Sequence, residues 1–181
     1  MNLPNKLTLV RAASIPVFLF FLLGHFPGEA AGNWLALVIF AAAALTDALD
    51  GHIARKYNLI TNFGKFMDPL ADKLLVSAAL IAFVGMGRLA AWVVIVIISR
   101  ELVITGFRVI AADNRVVLAA GNSGKLKTVL QMIMIIYIMP DFKGSAADLI
   151  KNVLVCAAAL ATVYSAAEYI WRNRWILSDE K

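Results

Sequence analysis

The sequence predicts an all-α integral membrane protein: six transmembrane helices behind a short N-terminal interfacial segment. Three observations carry that expectation. Hydrophobic residues fill 61% of the 181 positions and charged residues only 16%, whereas a soluble chain of this size needs more charge to cover its surface. The apolar residues come in long runs separated by short polar stretches, as bilayer-crossing helices require. If the six runs alternate across a bilayer with the N-terminus inside, only Arg88, Lys143 and Lys151 of the 17 Lys and Arg fall outside. That asymmetry follows the positive-inside rule and places both termini on the cytoplasmic side.

Residues 1–11 are basic and mildly amphipathic, and form the interfacial segment. The first apolar run, Leu7–Leu23, is interrupted once by Pro16. A cleavable signal peptide competes here, because Lys6 and Arg11 precede apolar residues and Ala30-Ala31-Gly32 resembles a cleavage site. Cleavage would leave an odd number of spans. His25, Pro27, Gly28 and Gly32 mark residues 24–33 as a loop. A second helix runs from near Trp34 through Ala41–Ala44 to about Arg55, polar over its last part. Residues 56–67 read as a polar turn. The third helix starts near Asp68-Pro69, since proline suits a first turn, and ends near Gly85-Met86-Gly87. Ala90–Ile110 is the fourth, with Arg100, Glu101 and Arg108 in its second half. A turn at Ala120–Gly124 and the basic pair Lys125 and Lys127 precede the fifth, which ends at Met139-Pro140. Asp141–Ile150 reads as a loop, and the sixth helix spans Leu149 to about Trp171.

Trp34, Trp92 and Trp171 fall near the expected interfaces, as an aromatic belt would. The alanine runs suit close helix packing. Cys156, the single cysteine, excludes an intramolecular disulfide and reads as a packing residue. One domain over residues 1–181 is the default at this length. The net charge of +5 raises nucleic acid as a partner, yet no basic run exceeds two residues and the cations cluster at span ends. The pattern is one of topology, with no nucleic-acid face.

The chemistry concentrates between Asp47 and Asp72. Ionised groups at the ends of apolar helices are costly and usually functional. On helices, Asp47 and Asp50 are three apart and share a face, as do Asp68 and Asp72, four apart. Four carboxylates gathered together need a hard divalent cation, Mg²⁺ or Mn²⁺. They can hold two such ions, roughly 3.5–4 Å apart in two-metal sites, which clamp a pyrophosphate. Gly51 and Gly64 let a substrate approach the backbone, Ala54 does so less completely, and Arg55 can pair with a phosphate oxygen. The plain alternative is a solvated helix end where the aspartates neutralise Lys56, Lys65 and Lys73. A divalent-cation transporter using the aspartates as a selectivity site is a third reading; it leaves the glycines and Arg55 unexplained.

The spacing Asp-x2-Asp-Gly-x2-Ala-Arg-x8-Gly-x3-Asp-x3-Asp, complete from Asp47 to Asp72, resembles the signature of the CDP-alcohol phosphotransferase family. The resemblance implies six transmembrane helices, usually as a homodimer in a membrane, and transfer of a substituted phosphate from a CDP-linked donor to an alcohol with release of CMP. It implies that Asp47, Asp50 and Asp68 ligate one metal. Asp68 would bridge to a second that Asp72 helps to hold, and Asp72 would be the general base. Gly51, Ala54, Arg55, Thr61 and Gly64 would line the donor site. Asn5-x-x-Thr8 resembles, more loosely, the family's N-terminal contact to the donor, which argues against a signal peptide.

Asn5–Arg11, Asn62–Lys73, Ser99–Arg108 and Gly124–Thr128 are similar to the bacterial members that use CDP-diacylglycerol as donor and glycerol 3-phosphate as acceptor. This implies a multi-pass protein of the bacterial inner membrane, with its active site facing the cytoplasm. A phosphorylated acceptor needs cations beyond those on the donor, and Arg100, Arg108, Lys125 and Lys127 supply four. Arg100 and Arg108 lie about two turns apart and can share a face; Lys125 and Lys127 cannot. Glu101 could orient an arginine. The alternative is that Arg100 pairs with a neighbouring acid and the lysines only mark a membrane boundary. Among sister activities, a serine acceptor does not account for these cations, an inositol phosphate does, and a cardiolipin-forming acceptor stays open.

Overall fold

The computed structural model describes the backbone of residues 3–24, 28–56, 62–114, 116, 118 and 121–177. It describes their side chains except at 3–8, 47–56, 62–69, 72 and 177. Among these residues the chain is all helical: α1 Leu3–Leu22, α2 Glu29–Lys56, α3 Asn62–Gly85, α4 Ala91–Asp113, α5 Asn122–Ile138 and α6 Ser145–Asn173, with a closing 3-10 turn at Arg174–Leu177. Leu3–Leu22 is one helix with Pro16 inside it, so the expected interfacial segment is continuous with the first apolar run. Among the described residues two helical stretches, Glu29–Thr46 and Ser145–Ile176, are long and apolar enough to cross a membrane.

Contacts divide the chain into two units, Met1–Arg88 with Met139–Asp141, and Leu89–Ile138 with Phe142–Lys181. In the first, α1 packs on α2 and α3, and α2 also meets α3. Its core alternates bulk with small residues. Phe18 of α1 lies 5.8 Å from Phe40 of α2, ring centre to ring centre, while Ala36, Ala43, Ala71 and Ala79 are buried and let the backbones approach. In the second, α6 packs on α4 and α5. Ile104 and Phe107 bury against Tyr169, with the Phe107 and Tyr169 rings edge to face at 6.4 Å.

Four helices begin earlier than composition suggests: α2 at Glu29 rather than near Trp34, α3 at Asn62 rather than near Asp68, α5 at Asn122 rather than after Lys127, and α6 at Ser145 rather than Leu149. Pro69 consequently lies inside α3 and not in its first turn. Polar residues are favoured where unpaired amides and the helix dipole need them, and Glu29 and Asp148 sit in such first turns. Asn122–Gly124, expected in a turn, likewise open α5. Cys156 is exposed on α6, so it does not pack in the core of its unit.

The end of α3 forms a Schellman turn. Gly87, at φ +69°, takes the left-handed position that favours glycine. Its amide donates to the Val84 carbonyl, and the Arg88 amide donates to that of Phe83. This turn delivers Arg88 onto two segments distant in sequence. Its guanidinium donates from Nη1 and Nη2 to Asn33 Oδ1, both at 3.3 Å, and from Nη1 to the Met139 carbonyl at 3.0 Å. It also pairs with Asp141 at 3.5 Å. Burial pulls Arg88 below arginine's ordinary pKa, while Asp141 and then Glu29 oppose the shift.

Candidate active site

The candidates for donor and metal lie on the three packed helices of the first unit. Asp47, Asp50, Gly51, Ala54 and Arg55 occupy the last turns of α2, and Gly64, Asp68 and Asp72 the first half of α3. Asn5 and Thr8 belong to α1, which packs on both. Each aspartate pair thus sits on one continuous helix, at the three- and four-residue spacing that shares a face. The side chains of Asn5, Thr8, Asp47, Asp50, Ala54, Arg55, Asp68 and Asp72 lie outside the described residues, as does Thr61 altogether. Among the described residues no three His, Cys, Asp or Glu gather to hold a metal.

What leads into this region is described. Arg11 on α1 is buried, 2% exposed, and its Nε donates to the Ala43 carbonyl at 3.3 Å. That carbonyl lies one helical turn before Asp47, so Arg11 fixes α2 where its acidic stretch begins. Sequence reasoning counts Arg11 only as a topology marker. The signal available was a guanidinium within an otherwise apolar helix, which is expensive unless it has partners. On α3, Ala71 and Leu75 are buried while Leu70 and Leu74 are exposed, so the helix around Asp72 presents one face to the core of its unit.

The acceptor-side candidates lie in the second unit, and they differ sharply in environment. Arg108 and Lys125 are exposed. Lys127 is 3% exposed and its ammonium donates to Glu101 Oε1. Arg100 Nη1 donates to the same oxygen at 3.0 Å. One carboxylate therefore bridges two cations from different helices. The alternative set out from sequence, that Arg100 pairs with a neighbouring acid, is observed.

The guanidinium is only partly satisfied by that pair. Arg100 Nε is buried and makes no hydrogen bond, although a buried donor without a partner costs about 1–3 kcal/mol. A Cβ placed on Gly124 would lie 3.5 Å from Arg100 Nη2, so glycine leaves that flank of the guanidinium clear. Gly124, Lys127 and Gln131 follow one stripe of α5 at helical spacing. Gln131 Oε1 is a second buried atom without a partner. The bridge spans 26 residues and two helices, so residue spacing alone could not have found it.

Comparison with known proteins fits these observations. The model of the CDP-alcohol phosphatidyltransferase family matches residues 1–167. The chain belongs to that family. A CDP-diacylglycerol–glycerol-3-phosphate 3-phosphatidyltransferase of Bacillus subtilis (strain 168) is 42% identical over 185 residues, covering 95% of each chain. Proteins of the same name in Rickettsia bellii and Mycoplasma pneumoniae are 36% and 38% identical, covering 93% and 75% of this chain and 93% and 66% of their own lengths. As a CDP-alcohol phosphatidyltransferase, the protein is an enzyme, and its helical architecture suits the family.

Proposed function

We propose that this enzyme transfers the phosphatidyl group of CDP-diacylglycerol to glycerol 3-phosphate, giving phosphatidylglycerophosphate and CMP. The observation that carries the acceptor is Arg100: a largely buried guanidinium whose Nε has no partner suits an anionic acceptor such as a sugar-alcohol phosphate. The relatives named for this reaction support the same reading.

The acidic stretch fits a divalent cation by its chemistry, since four carboxylates on two packed helices offer only hard oxygen ligands. Asp47, Asp50 and Asp68 would hold one Mg²⁺ or Mn²⁺, and Asp68 and Asp72 a second. Bound there, the ions would neutralise the pyrophosphate and polarise its phosphorus–oxygen bonds. Asp72 acts as general base. It takes the proton of the acceptor hydroxyl while that oxygen bonds to the phosphatidyl phosphorus, and the bond to the CMP phosphate breaks. Asn5, Thr8, Gly51, Ala54, Arg55, Thr61 and Gly64 bind the donor. Arg100 and Arg108 with Lys125 bind the acceptor phosphate, and Lys127 joins them at least through Glu101.

All six helices cross the bacterial inner membrane in this reading, as one domain. Both termini and the aspartates face the cytoplasm, and the protein works as a homodimer. Exposed apolar side chains on every helix support it, among them Val17, Val38, Ile81, Ile95, Val129 and Leu160; so much apolar surface is foreign to a water-exposed protein. Trp34, Trp92 and Trp171 are exposed, as interfacial anchors would be.

The test uses purified enzyme in detergent with CDP-diacylglycerol and Mg²⁺, following CMP with glycerol 3-phosphate, serine, inositol phosphate or phosphatidylglycerol. We expect release with glycerol 3-phosphate alone, its loss on chelation and its return with Mg²⁺ or Mn²⁺. Release with inositol phosphate and none with glycerol 3-phosphate would reassign the acceptor. No release with any, alongside metal flux in proteoliposomes, would favour a transporter.

A further inference from the structure

We propose that Glu101 is a positioning residue for the acceptor phosphate, and that Gly124 keeps the Nη2 flank of Arg100 clear. The inference deepens the function proposed above and rests on it. A guanidinium offers its five donors along fixed edges. Glu101 takes Nη1 at 3.0 Å, which fixes the plane of the Arg100 head and leaves the edge formed by Nε and Nη2 for another acceptor. That edge matches a phosphate, whose two oxygens can accept a parallel pair of hydrogen bonds. Nε is already stripped of water and unpartnered, so a phosphate oxygen seated on Nη2 that displaces the groups covering Nε restores a hydrogen bond there and incurs little new desolvation of the guanidinium.

Lys127 has a different part. Its ammonium is buried on Glu101, so it balances the charge of the carboxylate and holds it in place. Without Lys127, more of the Glu101 charge would fall on Arg100 and weaken its attraction for an anion. Arg100, Glu101 and Lys127 between them carry two cations and one carboxylate, an excess of positive charge that an incoming phosphate neutralises. The four cations are therefore unequal: Arg100 touches the phosphate and Lys127 acts through Glu101.

Gly124 sets the access. A methyl group there would sit in ordinary contact with Nη2, 3.5 Å away. It would fit without a clash, yet it would crowd the space a phosphate oxygen must enter. Alanine at this position should leave folding intact and weaken acceptor binding.

The experiment measures CMP release by the full-length enzyme in detergent with Mg²⁺, varying glycerol 3-phosphate and CDP-diacylglycerol separately. Glu101→Gln should raise the KM for glycerol 3-phosphate about tenfold or more and leave the donor KM unchanged, and Glu101→Asp should recover most of the loss. Gly124→Ala should raise the acceptor KM several-fold with an unshifted thermal midpoint. A fall in kcat with both KM values unchanged, or an equal rise in both, would make Glu101 structural and overturn the proposal. Should Glu101→Gln fail to fold, Gly124→Ala decides alone, and an unmoved acceptor KM there overturns it. Wild-type enzyme that rejects glycerol 3-phosphate defeats the underlying function instead, and the proposal with it.

Discussion

Arg88 shows what one part-buried cation does in a chain with few charges. Its guanidinium joins Asn33 at the start of α2, the Met139 carbonyl and Asp141, and it stays charged because arginine does not deprotonate in proteins. Arg88→Met would leave Asn33 Oδ1, in a residue only 5% exposed, without its donors. The expected cost is about 2–4 kcal/mol, read as a lower unfolding midpoint in detergent, with both substrate KM values unmoved. An unchanged midpoint would mean that water replaces the guanidinium. At Asp72 the expectation is reversed. Asp72→Asn should cut turnover by about 10²–10⁴-fold, the range for general-base catalysis, and leave CDP-diacylglycerol binding largely intact. Full activity in that variant would remove the assignment.

At the scale of elements, sequence reasoning located all six helices because each carries a long apolar run. It placed four starts too late, those of α2, α3, α5 and α6. Glu29–Asn33, Asn62–Asp68 and Ser145–Asp148 have the polar composition of loops, but the first turn of a helix welcomes that composition, and Ala30, Ala31, Ala146 and Ala147 are the strongest helix formers. The aspartate spacing was legible for a related reason: within one helix, periodicity fixes which residues share a face. The Arg100–Glu101–Lys127 bridge was not, because it depends on how two helices pack. Gly144, just ahead of α6, marks where that helix must start. Its φ of +116° lies in a region that side chains avoid, so Gly144→Ala should cost about 1–3 kcal/mol. The check is a thermal melt, and an unaltered melt would show that the turn relaxes.

For the whole molecule, topology gives the sharpest test. With Cys156→Ser as background, Lys143→Cys should react with a membrane-impermeant maleimide added outside intact cells. A cysteine introduced by Ser178→Cys should react only after the cells are opened. The opposite pattern would invert the orientation and move the aspartates away from the cytoplasmic pool of acceptor. In the native chain the same experiment becomes simpler. Because Cys156 is exposed and is the single thiol, one apolar nitroxide can be attached to each polypeptide with no mutation at all. Pulsed electron resonance on that sample sees no intramolecular pair, so any dipolar oscillation is a ruler laid between two copies, and its absence in lipid counts the enzyme as a monomer.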